Sequence, residues 1–120
     1  MTLFSDAAWR EMHPALWYAR GEARVLVREM FGEDLVITSG RRPPTPGGSS
    51  LHGTGQAMDI RSKHWPVEAQ RKFAARLQEI LGEDFEVIVE GAAATDARYF
   101  KRVAHVHVEY QPKGRHLVEE

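Results

Sequence analysis

Residues 85–110, FEVIVEGAAATDARYFKRVAHVHVEY, decide the fold. FEVIVE (85–90) and RVAHVHVEY (102–110) are rich in β-branched residues and predict strands. The intervening GAAATDARYF predicts a loop. Two strands joined as a hairpin make the sheet antiparallel. In the second strand His105 and His107 stand two residues apart and share a face, while Val106 and Val108 point the other way, toward a core.

Upstream, WPVEAQRKFAARLQEILG (65–82) predicts an amphipathic helix with Val67, Phe73, Leu77, Ile80 and Leu81 inward. QAMDIRS before it and DLVITS (34–39) predict two further strands. Pro14 suits the first turn of a helix running to about Phe31, with Leu16, Ala19, Ala23, Leu26, Val27 and Met30 on one face and Gly32 as terminator. Ser5 is a plausible N-cap for a shorter helix through DAAWREM. Trp9, Trp17 and Phe73 are expected in the core, His64 and Trp65 at a helix start, and His13 and His116 at the surface. The order predicts an α+β fold, a small antiparallel sheet packed with helices. Residues 1–120 form one domain: helices over 1–33, sheet and helix over 34–110, a polar tail over 111–120.

Sixteen Lys plus Arg against seventeen Asp plus Glu give a formal charge of -1, so no strong field draws the chain to nucleic acid. No stretch approaches a membrane span, and a monomer is expected. The N-terminus lacks the pattern of a signal peptide, which implies synthesis in the cytoplasm. With no cysteine, any metal must take His, Asp or Glu ligands from a chain with six histidines.

GRRPPTPGGSSLHGTG (40–55) is a long Gly- and Pro-rich loop, and such loops are usually functional or disordered. His52 lies within it, beside Gly53 and Gly55, whose backbone freedom can bring the ring over the strand that holds Asp59. Taken singly, Asp59 could be a turn acceptor and His-x-His a solvated strand face. Together, a turn histidine, a strand aspartate and a histidine from the distant last strand make three N/O ligands, the arrangement of a catalytic zinc site with a fourth position open.

SLHGTGQAMDI fits the Ser-x-His-x-x-Gly-x-Ala-x-Asp pattern through Ser50, His52, Gly55, Ala57 and Asp59. HVHVEY is a His-x-His strand, and ITSGRR (37–42) precedes both. In these elements and their order the chain resembles the LAS-type peptidoglycan peptidases, which include the zinc D-alanyl-D-alanine carboxypeptidases and share a fold group with the Hedgehog signalling domain. The resemblance spans about residues 35–110. It implies a Zn2+ site built from His52, Asp59 and His107, and hydrolysis of an amide bond in peptidoglycan stem peptides, of the D,D-carboxypeptidase or L,D-endopeptidase type.

The resemblance also implies an arginine that contacts substrate. Arg42 fills that place, with Arg41 where tyrosine is usual. Ser50 is expected to hydrogen-bond within the turn or to a metal ligand, alongside the substrate-binding residues. Carboxypeptidases of this kind place a Glu or Asp three residues before the metal histidine, where this chain has Ala104. Glu90, closing FEVIVE, is the candidate general base, with Asp96 a weaker substitute. His105 is expected to orient water or stabilise an oxyanion. The wall is the site of action if the protein is released or holin-exported, as for a phage or prophage endolysin. The alternative is a non-hydrolytic zinc-binding interaction module of the same fold. Coordination requires neutral imidazoles, so zinc is expected to leave as pH falls through about 6.

Overall fold

The computed structural model describes residues 12–39 and 56–112. Within them the order is α1 (Pro14–Phe31), β1 (Ile37–Ser39), β2 (Ala57–Arg61), α2 (Val67–Leu81), β3 (Phe85–Glu90), a 3-10 turn (Ala97–Tyr99) and β4 (His105–Tyr110). The four strands form one antiparallel sheet in the order β1-β2-β4-β3. The domain is therefore α+β, with β3 and β4 paired as the hairpin its sequence predicts. The expected helix at Ser5, together with Trp9 and His116, lies outside the described residues. No helix among those described is long and apolar enough to cross a membrane.

Helix α1 begins where His13 accepts a hydrogen bond from the Ala15 amide on Nδ1, at 3.0 Å, and Pro14 supplies the preset φ of a first turn. It ends at Gly32, whose φ of 65° and amide bond to the Arg28 carbonyl close the last turn. Leu16, Ala19, Ala23, Leu26 and Val27 are buried along one stripe. On α2 the stripe is Gln70, Phe73, Ala74, Leu77 and Leu81. Alternation then sorts the sheet into two faces. Ile37, Met58, Ile60, Val106 and Val108 are fully buried with the helix residues, and the opposite face carries polar side chains.

The structure departs from the sequence pattern at several side chains and strand ends. Val67 and Ile80 are exposed, because the inward arc of α2 centres on Phe73 and Leu77 and both residues fall at its margins. Trp17 is 47% exposed; it follows Leu16 by one residue, about 100° around the helix, and lies under Arg20 at 5.9 Å. Trp65 is instead a core residue, stacked on Phe31 at 4.1 Å and packed against Phe73. Strand β1 starts at Ile37 rather than Asp34. Strand β4 starts at His105 rather than Arg102, because the Arg102 amide is tied to the Tyr99 carbonyl in the preceding turn.

Trp65 also explains His64. Glu33 Oε1 lies 2.6 Å from both Trp65 Nε1 and His64 Nε2, pinning the end of α1 to the entry of α2. The Trp65 hydrogen bond, and then that of His64, hold the Glu33 carboxyl below its ordinary range. A depressed carboxylate pKa stabilises the fold above the unfolded value, near 4.3, and that contribution is lost as pH falls through the folded value. Glu33→Gln is expected to cost about 1 kcal/mol at pH 7, the side chain being partly in water. Urea midpoints measured from pH 7 to 3 should converge with those of the parent as the medium becomes acid.

Candidate metal centre

The β2–β4 register sets Asp59 opposite His107, and the β3–β4 register sets Glu90 opposite His105. Alternation places all four on the sheet face turned away from the helices, with Glu109 beside them. Two imidazoles approach the same carboxylate oxygen. His107 Nδ1 is 2.9 Å from Asp59 Oδ1 and His105 Nε2 is 3.3 Å from it. His105 Nε2 lies closer still, at 2.7 Å, to Glu90 Oε1. Arg102 Nη1 donates to the other Glu90 oxygen at 3.3 Å, with its guanidinium 5.1 Å from the centre of the Tyr99 ring. At the far end His107 Nε2 meets Glu109 Oε1 at 2.8 Å.

Burial gives this row its chemistry. Asp59 and Glu90 are buried at 6% and 3% exposure, and a carboxylate out of water is costly unless it is paired. Both are paired with imidazole, and Glu90 with guanidinium as well. Burial pushes the His107 imidazole down, but the hydrogen bonds and charges of Asp59 and Glu109 outweigh it, so its pKa is raised.

Donor type and convergence fit a divalent transition metal. One ligand atom each from Asp59, His105 and His107 lie within 4.8 Å of one another, and imidazole nitrogen with carboxylate oxygen is a donor set zinc accepts. Among the described residues this is the group able to hold such an ion. His52, Ser50, Arg41 and Arg42 lie outside the described residues.

The exit from β3 shapes the site. Gly91 has a φ of 90°, and a Cβ there would stand 2.6 Å from the Ala104 Cα. Strand β3 thus leaves Glu90 hard against the entry to β4, which holds Glu90 beside His105 although fifteen residues separate them in sequence. Asp96, by contrast, caps the 3-10 turn. Its carboxylate takes the Arg98 side chain at 2.7 Å and the Arg98 amide at 2.9 Å, and the side-chain bond first, then the amide, lowers its pKa. Arg102 and Glu109 are residues of this row that belong to no motif of their own. Glu109 was recoverable from alternation, because 105, 107 and 109 share one strand face.

No family model matches the chain, and comparison with curated proteins returns no match.

Proposed function

We propose that this domain is a zinc-dependent peptidase with a Hedgehog/DD-peptidase-like fold, acting on an amide bond of peptidoglycan stem peptides. The observation that carries the reading is the pairing of Asp59 with His107 beside a buried carboxylate, Glu90, on one sheet face. Asp59 and His107 stand side by side there, next to a buried carboxylate, which supports reading them as two of the three metal ligands the resemblance implies. His52 is proposed as the third ligand. His105 Nε2 lies nearer Glu90, at 2.7 Å, than Asp59, at 3.3 Å, and is assigned to Glu90 as its hydrogen-bond partner.

Bound zinc would supply a Lewis acid and lower the pKa of a coordinated water toward neutrality. Glu90 receives a proton at its carboxylate and returns it to the leaving amine. His105 and Arg102 fix the two Glu90 oxygens so that the group stays oriented. Arg42 or Arg41 would bind a substrate carboxylate through paired N–H donors, and Ser50 would support the turn. The second reading, a zinc-binding module without hydrolysis, is favoured by Ala104, which leaves empty of carboxylate the position where carboxypeptidases carry one.

Incubating the purified protein with stem peptides, with and without a chelator, tests the proposal. Cleavage should vanish on chelation and return with added zinc. Absence of chelator-sensitive cleavage of any stem peptide would remove the peptidase reading. If His105 supports rather than ligates, His105→Ala should weaken zinc binding by about 10- to 100-fold, and complete loss of binding would make it a ligand.

The raised His107 pKa sets the pH dependence. Coordination needs the neutral ring, so protons compete with metal from above the ordinary histidine value of ~6.5. Zinc affinity should fall about tenfold per pH unit below the raised value, beginning nearer neutrality than the sequence alone implies. In the metal-free fold the sign reverses: the stability lent by protonated His107 is complete below ~6.5 and fades as pH rises through the raised pKa. Zinc titrations and urea midpoints between pH 5 and 8 check both slopes.

A further inference from the structure

We infer that Glu109 is a positioning residue for the metal centre, one that holds the His107 ring with its Nδ1 lone pair turned toward the ion. The inference rests on the metal site proposed above and goes beyond it.

An imidazole that ligates a metal through one nitrogen carries its proton on the other, and whatever accepts that proton decides which nitrogen is free. His107 has a carboxylate at each nitrogen. Nδ1 faces Asp59 Oδ1, the same oxygen that His105 Nε2 approaches; that side of the ring is where ligand atoms converge. Nε2 faces away from them, and at 2.8 Å it meets Glu109 Oε1. A ring that gives Nδ1 to a metal must carry its proton on Nε2, and Glu109 is the acceptor placed to receive that N–H. The carboxylate also makes the ring a stronger donor.

Glu109 is itself held. The Gln111 side-chain amide donates to its second oxygen, and the Gln111 backbone amide is tied to the Asp84 carbonyl at 2.7 Å. Its side chain is 13% exposed. Glu86 stands opposite it across the β3–β4 ladder, so a like charge borders the position, and the bonds from His107 and Gln111 offset that repulsion. A carboxylate present only for solubility needs neither the burial nor the two donors.

The test measures Zn2+ affinity of the purified chain against a chromophoric chelator at fixed pH, for the parent, Glu109→Gln and Glu109→Ala. Glutamine retains an oxygen acceptor without the charge and alanine retains neither. Affinity should fall in that order, with alanine losing about 10- to 100-fold. Nitrogen chemical shifts of the His107 ring in the zinc-loaded parent should report a proton on Nε2. A general loss of structure would not produce the graded order, or rescue by glutamine. Should Glu109→Ala not fold, Gln111→Ala is expected to reproduce a smaller loss in the same direction. Equal zinc affinity in parent and variants, or a His107 proton on Nδ1, overturns the inference while leaving the metal site standing. A parent chain that binds no zinc overturns the metal site, and the inference with it.

Discussion

Glu90→Gln is expected to lower turnover of a stem peptide by about 100- to 10,000-fold while leaving zinc bound, the range by which a positioned acid–base group accelerates a reaction. Glutamine has the shape of glutamate, and its carbonyl can still accept one hydrogen bond from Arg102 or His105. It cannot take up a proton. The residue is 3% exposed, so an alanine there would open a cavity beside His105 and confuse loss of chemistry with loss of packing; the amide avoids this. Single-turnover hydrolysis together with bound zinc per chain separates the outcomes. Zinc retained with turnover lost makes Glu90 the base. Full turnover in the variant removes Glu90 from the chemistry. A parent that holds zinc and cuts nothing, with a variant that behaves alike, is the signature of the interaction module.

The same row of side chains shows which parts of this protein could be read from letters. Strand β3 falls on residues 85–90 as its β-branched run predicts, and α1 runs from Pro14 to Phe31 because proline and glycine mark its ends. These are local signals. Trp17 and Trp65 exchange their expected places because burial of an aromatic depends on which way its helix or turn faces, and neither residue type nor spacing to the nearest apolar neighbour states that. At the site, His105 and His107 share a face by alternation alone, and Asp59 was marked by its place after a glycine-rich turn. That Asp59 stands opposite His107, rather than one residue along, is a matter of strand register. A slip of one residue would send its carboxylate to the helix face.

Charged residues are harder to read. Arg102 carries no local mark, since an Arg in a short turn is by default solvated. Its contact with Glu90 appears only when the β3–β4 pairing is known. The histidine pair would otherwise be costly on a half-buried face. A sheet with one face given to Ile, Met and Val against two helices and the other carrying Asp, Glu and His beside Ala57 and Ile88 is stable only if the charged groups of the second face are internally paired. Asp59, Glu90 and Glu109 with His105, His107 and Arg102 provide that pairing, so the row that suits a metal also reconciles buried charge with the fold.

Gly91→Ala should be the most damaging single-methyl change in the described residues, destabilising the domain by about 2–5 kcal/mol. Two costs combine. A φ of 90° is strained for any residue with a Cβ, at roughly 1–2 kcal/mol. The added carbon would also stand 2.6 Å from the Ala104 Cα and 2.9 Å from its nitrogen, and because these are backbone atoms the strand must move, at roughly 1–3 kcal/mol. The thermal midpoint should fall on the order of 10 °C. Where the strand moves matters more than how far. Ala104 leads directly into His105, so relief of the overlap pulls His105 from Glu90 while His107, two residues further along β4, and Asp59, on β2 at the other edge of β4, keep their register. Turnover should therefore drop more than zinc affinity does. Adding Ala104→Gly removes the 2.9 Å contact with its Cβ but leaves the Cα overlap, so the double variant should recover only part of the stability. Calorimetry with a parallel zinc titration measures both, and a Gly91→Ala protein with the parent's midpoint and turnover would show that Glu90 is not held by this close approach.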